Sequence, residues 1–431
     1  MTLPYAIISQ IVLRGLLKMA VSYRKLWNIL SHRSLSAVEL RQATRMAPNT
    51  LTKLRKNENV SLSVLDKICS FLECDYGDIM NYVNDESTQT EPNLPSFGIQ
   101  SRRYLGSKYK LLPLITDVVN KHCDGVASVA DIFSGTGAVA SAFTDKQIIT
   151  NDLMYSNFIC NYAWFSGQDF DGQKICRIIA GYNALDVTES NYMTANFADT
   201  YFSRADCAKI GYIREDIEAL YAGHEINERE RALLIMSLIY AMDKIANTCG
   251  HYDAYIQGAT FDKHLFLSVP SVNASNNPLN QCYNEDANKL VTHIYADLVY
   301  IDPPYNSRQY CDTYHLLENV ARWEKPDVYG MAKKMDRSGI KSRYCTRSAE
   351  TAFRELIEEI HARYILFSYN NMSSKGNERS NAKISDDVIF ETLGKRGEVR
   401  LFEERHKAFS AGKSDIQDNA ERLFLCQVKD S

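Results

Sequence analysis

Several things are missing from this chain. It has no cysteine pair at Cys-x-x-Cys spacing and no two histidines at zinc-ligand spacing, although eleven cysteines and nine histidines are present. A metal site is therefore not expected, and scattered thiols without a framework point to a reducing, cytoplasmic compartment. No apolar run approaches the roughly 20 residues of a membrane span, so no membrane partner is expected. The opening MTLPYAIISQIVLRGLLK is apolar but has no basic start, is interrupted by Arg14 and lacks a clear small-residue cleavage site, which argues against a signal peptide. Met19 is an alternative start, because the first recognisable module follows it. An excess of positive charge is missing too: the formal net charge is -4, so any surface for nucleic acid must be local. There are no internal repeats. What remains is an ordinary globular composition over 431 residues, room for two or three domains.

Residues 22 to 83 are dense in short helix signals. SYRKLWNIL puts Leu26, Ile29 and Leu30 on one face. Ser36 to Glu39 reads as a capping box opening AVELRQATRMA, which ends near Pro48. PNTLTKLRKN starts a further helix with proline in its first turn, and SLSVLDKICSFLECD repeats apolar residues at helical spacing. Eight basic residues against Glu39 give +7 between Arg24 and Lys56. The segment resembles the repressor-like helix-turn-helix family of phage regulators and restriction-modification control proteins. The resemblance implies that the helix at Pro48 enters the major groove, with Asn49, Thr50, Thr52 and Lys53 reading bases and Arg55 and Lys56 on phosphate. The alternative is a helical bundle used for dimerisation. The domain is set at residues 20 to 83, followed by a polar, proline-bearing linker at 84 to 100.

From residue 101 the pattern changes to strands alternating with helices, which predicts an α/β fold with a largely parallel sheet covered on both faces. ASVADIFS, QIITND, ADLVYIDPP and YILFSYNN are the apolar strands. LFEERHKAF and ERLFLCQV read as a terminal pair at the sheet edge, and residues 153 to 296 read as mainly helical. DIFSGTGAVASAF places Gly135 and Gly137 after the first strand, with AVASAF expected to begin a helix. The third glycine of a dinucleotide fingerprint is absent. Asp152 ends the next strand, where a carboxylate can accept from ribose hydroxyls. This arrangement suits an adenosine-containing cofactor without distinguishing a nicotinamide dinucleotide from S-adenosylmethionine.

The stretch VYIDPPYNSRQY ends a buried strand in an acid and two prolines. Proline cannot continue a ladder, so Pro303 and Pro304 lie at or past the strand end, and ligands bind at that edge of an open α/β sheet. Asp302 and an outward carbonyl make a rigid pair of acceptors. They suit an uncharged group with two N–H donors, an exocyclic amine, and Tyr305 offers a face for a planar base. Such an amine is a weak nucleophile. Two acceptors aim its lone pair at an activated electrophile such as a sulfonium methyl, so alignment matters more than strong acid–base chemistry.

Asp-Pro-Pro-Tyr, the Phe-x-Gly-x-Gly loop and the upstream Tyr-x-Gly-Ser-Lys segment, in this order, together resemble the D12 class, or alpha type, of adenine-specific DNA methyltransferases. YIDPPYNSRQY, YHLLENVARW, HYDAY and FSYNN resemble the group containing type IIS modification methylases. The resemblance spans most of residues 101 to 428. It implies a Rossmann-like methyltransferase sheet over 101 to 431 with a helical target-recognition insert at about 165 to 290. The implied cofactor is S-adenosyl-L-methionine and the implied partner double-stranded DNA. Tyr104, Lys108, Asp131, Phe133, Gly135, Gly137, Asp152 and Asp302 would then serve the cofactor. Asp302 and the Pro303 carbonyl would hold the adenine amino group, and Tyr305 would stack on the flipped base. AKKMDRSGIKSRYCTR, at +5, would lie as a mobile loop over the DNA backbone through residues such as Lys341 and Arg343, with Arg308, Gln309 and Tyr310 near the extruded nucleotide. Core packing is the alternative for Tyr310, and a structural turn is the reading of His251 in HYDAY. Methylation of RNA adenine or of a cytosine amino group, and an inactive methylase-fold regulator, stand as alternatives. The helix-turn-helix would limit synthesis of the protein or aid target recognition.

Overall fold

A computed structural model describes residues 20–33, 35, 37–55, 58–83, 94–304, 308–370, 383–405 and 420–429. Tyr305, the Ser36 cap, Lys56, residues 371–382 and the N-terminal segment through Met19 lie outside the described residues. The chain divides into two compact units, Met1–Asn93 and Leu94–Ser431.

In the first unit β1 (Ala20–Ser22) pairs antiparallel with β2 (Asn81–Val83). Between them lie α1 (Arg24–His32), α2 (Ala37–Thr44), α3 (Pro48–Arg55), α4 (Leu62–Leu72) and α5 (Tyr76–Ile79). Helices this short are marginal alone; they hold because Leu26, Leu30, Leu40, Leu54, Leu65, Ile68 and Leu72 share one core. Arg45 turns the chain between α2 and α3 in the left-handed region at φ 50°, leaving Asn49, Thr52 and Lys53 exposed on α3 and Thr50 half-buried.

The second unit opens with β3 (Ser96–Phe97), a 3-10 turn at Lys108–Leu111 and α6 (Leu112–His122), followed by β4 (Ser128–Asp131) and β5 (Gln147–Asn151). A helical stretch follows: α7 (Tyr155–Phe165), α8 (Gly172–Ala184), α9 (Tyr192–Phe197), α10 (Arg204–Ala222) and α11 (Glu228–Ile245). The chain continues through β6 (Val269–Pro270), β7 (Gln281–Tyr283), α12 (Ala287–Leu290), β8 (Ala296–Ile301), α13 (Tyr310–Thr313), α14 (His315–Arg322), α15 (Ala349–Glu359), β9 (Ala362–Asn370), α16 (Asp386–Gly394), β10 (Gly397–Arg405) and β11 (Ala420–Val428).

The main sheet runs β10-β11-β9-β8-β4-β5-β7. Its five strands from β9 to β7 are parallel, and β11 and β10 add antiparallel at the edge. Successive strand residues point to opposite faces, and the strands are apolar on both. Val129, Ile148, Leu298 and Leu366 face a core built with α6, α7, α11 and α14, whereas Ala130, Ile149, Val299 and Ile365 face α12, α15 and α16.

Two sequence expectations need correction. AVASAF forms no α-helix: a turn leads into a four-residue 3-10 helix, Ala140–Phe143. The chain must reach β5 by Gln147, too few residues for a cooperative helix. The segment 153–296 is mainly helical only to Ile245, and beyond it the four-residue α12 is its one helix. Past Ile245, side chains replace the ladder: Asn276 donates to the Trp164 and Ser166 carbonyls, and Asn280 accepts from Ile148 N–H while donating to Phe165. β7 then joins the main sheet.

Candidate active site

The winding of the sheet reverses at β4, with β5 on one side and β8 on the other, so a crevice opens at their carboxyl ends. Asp131 ends β4, Asp152 follows β5 and Asp302 follows β8. A cleft lies there, and Tyr104, Lys108, Asp131, Phe133, Gly135, Asp152, Asp302 and Pro303 all line it.

The glycine loop is held from behind. Gly135 and Gly137 sit at φ 52° and 81°, a conformation glycine adopts without a Cβ clash. Asp152 accepts from Gly135 N–H at 2.9 Å and Met154 N–H at 2.8 Å. Asn161 donates to Ser134 Oγ and to the Gly135 carbonyl. Gly137 packs behind the lining, where a Cβ would strike Asn161 and approach Phe165 Cε2 to 2.7 Å.

The upstream segment is fixed by aromatic rings. Tyr104 stacks on Tyr310 at 5.3 Å and on Tyr314 at 4.7 Å, with the Arg102 guanidinium 5.3 Å from its ring centroid. Tyr314 Oη accepts from Leu105 N–H and Tyr310 Oη donates to the Leu105 carbonyl. Tyr310 therefore packs, and Gln309 is tied to Ser342 by two bonds of 3.0 and 2.8 Å.

Electrostatically, the cleft concentrates acid in a poorly hydrated space. Burial, then the charges of Asp302 and Asp152, pushes the Asp131 carboxyl up to about 8. Its Oδ1 is buried without a hydrogen-bond partner. Burial raises Asp152 to about 6 against the N–H donors that lower it. Burial also raises Asp302 to about 6, although Lys108, 2.9 Å away, pulls it down.

The basic stretch after the motif is an ordered rim with short 3-10 turns at Ser338–Ile340 and Arg343–Cys345. Three of its six basic residues are paired with acids from other elements. Lys334 pairs with Asp253, Arg337 with Asp312 and Arg343 with Glu355, because neighbouring elements supply acids that the local sequence does not reveal. Lys341 is exposed, and Arg343 lines the cleft while paired. Arg308 is exposed with its Nε 3.9 Å from Asp253. His251 Nδ1 lies 3.7 Å from that same acid, in a turn.

Sequence reasoning missed the supports. Buried Glu318 on α14 accepts from Tyr155 and Ser156 N–H at the start of α7 and from Arg322 Nε. Asp297 in β8 accepts from Ala127 and Ser128 N–H. Neither has a local pattern. Among the described residues, no group of three or more His, Cys, Asp or Glu is placed to hold a metal ion, and no helix is long and apolar enough to cross a membrane.

A parallel sheet with a glycine loop, an acid after the second strand and Asp-Pro-Pro at the switch point defines a Rossmann-like α/β protein with a nucleotide-type crevice. Comparison with known proteins narrows this. The profile of the D12 class N6 adenine-specific DNA methyltransferase family matches residues 104–373, and that of the Cro/C1-type HTH DNA-binding domain matches residues 25–85. The chain belongs to the D12 class N6 adenine-specific DNA methyltransferase family. It is 38% identical over 289 residues to modification methylase StsI of Streptococcus sanguinis and 34% over 289 residues to type II methyltransferase M.FokI of Planomicrobium okeanokoites. Each alignment takes in 62% of this chain but 44% of the relative, so the chain spans less than half the length of those two proteins. Type II methyltransferase M.NlaIII of Neisseria lactamica is 31% identical over 330 residues, covering 73% of this chain and 95% of that one.

Proposed function

We propose that the chain is a site-specific DNA adenine N6-methyltransferase of a restriction-modification system, using S-adenosyl-L-methionine. The carrying observation is that Asp302, at the proline-closed end of β8, shares one cleft with the Gly135 loop and Asp152. The residues fit that cofactor. A Cβ at Gly135, in the cleft lining, would come 3.2 Å from Tyr104 Cε1, and Asp131 keeps an unsatisfied buried oxygen in the same lining. S-adenosyl-L-methionine supplies a methyl on a sulfonium, an electrophile already activated by its charge.

In this reading Gly135 and Phe133 line the loop, Asp152 serves the adenosine portion, and Tyr104 and Lys108 the methionine end. Asp302 and the Pro303 carbonyl accept the two amino hydrogens of an extruded adenine and turn its lone pair toward the methyl. With S-adenosyl-L-methionine bound, Asp302 and the Pro303 carbonyl would hold the amino nitrogen in line with the methyl that the sulfonium would supply, and the nitrogen would lose one proton. Tyr305 stacks on the base. Arg308, Lys341 and Arg343 face the DNA, and residues about 165 to 290 carry target recognition.

Residues 20 to 83, ahead of the methyltransferase unit, which takes in the chain from Leu94 rather than from residue 101, bind an operator and limit the protein's own synthesis. The exposed Asn49, Thr52 and Lys53 on α3 support this, and exposed Leu62 and Phe71 on α4 support pairing of two copies there. Labelled cofactor with mixed-sequence duplex DNA tests the enzyme. Label recovered as N6-methyladenine is expected. Label in cytosine or only in RNA favours the other amino-methylating readings, and none, from folded protein that binds cofactor, refutes the activity and favours a regulator.

A further inference from the structure

Lys108 Nζ lies 2.9 Å from Asp302 Oδ2, with side chains 6% and 16% exposed. Nζ also donates to the Gly106 carbonyl at 3.3 Å. One oxygen of the carboxylate that would accept an adenine amino hydrogen is therefore held by a cation, and the charge of the whole carboxylate is offset. An ammonium N–H makes the stronger, charge-assisted bond to a carboxylate, so a neutral amine does not displace it unaided. A cation left there would also oppose the sulfonium charge across a poorly hydrated cleft.

The backbone of this segment is anchored on both sides. The Gly106 turn sits at φ 76°, where a Cβ would lie 2.9 Å from Tyr310 Oη. Leu105 is bonded through both its N–H and its carbonyl to Tyr314 and Tyr310. The Lys108 side chain can change rotamer without breaking the Leu105 bonds that hold this frame.

We propose, resting on the function above, that Lys108 is a positioning residue coupling cofactor to base. It masks Asp302 in the empty cleft and transfers its charge to the carboxylate of the arriving cofactor, so that the adenine amino group is accepted only in the loaded cleft. The coupling is reciprocal: a flipped adenine on Asp302 raises cofactor affinity by the same factor by which cofactor favours the flipped base.

The test uses the full chain and its own target duplex, located by methyladenine sequencing, with 2-aminopurine at the target adenine. Fluorescence reports extrusion with and without S-adenosylhomocysteine. Wild type is expected to extrude the base at least about tenfold more favourably with that ligand, within the usual range of coupled sites. Lys108→Met is expected to extrude it without ligand and to lose the tenfold dependence, while binding S-adenosylhomocysteine more weakly by calorimetry. Lys108→Arg, which keeps the charge, is expected to retain coupling, and it carries the test if the Met variant does not fold. Ligand-independent extrusion by wild type, unchanged coupling in Lys108→Met, or coupling lost in a folded Lys108→Arg overturns the proposal. Wild-type methylation of the unsubstituted duplex is measured in parallel, and its failure counts against the enzyme reading instead.

Discussion

Replacing Gly137 by alanine tests whether the cofactor loop is held by close packing or merely permitted by glycine. Gly137 sits at φ 81°, and a non-glycine residue in the left-handed region costs about 1–2 kcal/mol. The new Cβ would overlap Asn161 Oδ1 and come 2.7 Å from Phe165 Cε2. Asn161 cannot simply turn away, because its amide holds Ser134 Oγ at 2.8 Å and the Gly135 carbonyl at 3.2 Å. Losing one such bond adds about 1 kcal/mol. The sum is about 2–3 kcal/mol. In a unit of this size it lowers the melting temperature by roughly 4–8 °C. The second readout is local. With Asn161 displaced, the loop bearing Gly135 shifts, so cofactor affinity falls at least about tenfold by calorimetry at a temperature where the variant remains folded. A melting temperature within about 1 °C of wild type, with unchanged cofactor affinity, would refute the packing account.

Other outcomes follow from the same geometry. Asp302→Ala is expected to abolish methyl transfer while leaving the fold intact; residual transfer above about one hundredth of wild type would move the acceptor role elsewhere. Because burial raises Asp302 to about 6 and only its charged form accepts both ways, the methylation rate is expected to fall with acid below about pH 6, read as a pH–rate profile. Asp131 ionises near 4 in the unfolded chain but at about 8 when folded. The folded protein therefore holds the extra proton between those values, and stability declines as pH rises through them. Asp131→Asn should flatten that decline in melts from pH 5 to 8, and an unchanged slope would contradict it. Glu318→Gln removes charge from three bonds of 2.7 to 2.9 Å and should destabilise by about 2–3 kcal/mol in denaturant melts. In the full chain, Asn49→Ala should cut operator affinity by about 1–3 kcal/mol relative to random DNA, measured by competition binding.

The sequence by itself determined what repeats locally. Helical spacing around Leu26, Leu65 and Ile68 marked the first unit, and apolar runs closed by Asp131, Asp152 and Asp302 marked the central strands with their acids on one edge. Both follow from side-chain periodicity and from the inability of Pro303 and Pro304 to continue a ladder. The tertiary structure alone decided the rest, because it depends on residues far apart in the chain. Lys108 meets Asp302 across 194 positions, Glu318 caps a helix begun at Tyr155, and Asp253, Asp312 and Glu355 take up charges that the local run 332–347 presents as free. A pattern records which face a residue shares. It carries no record of which distant charge will neutralise it, and in this cleft that pairing sets how Asp302 stands before any ligand arrives.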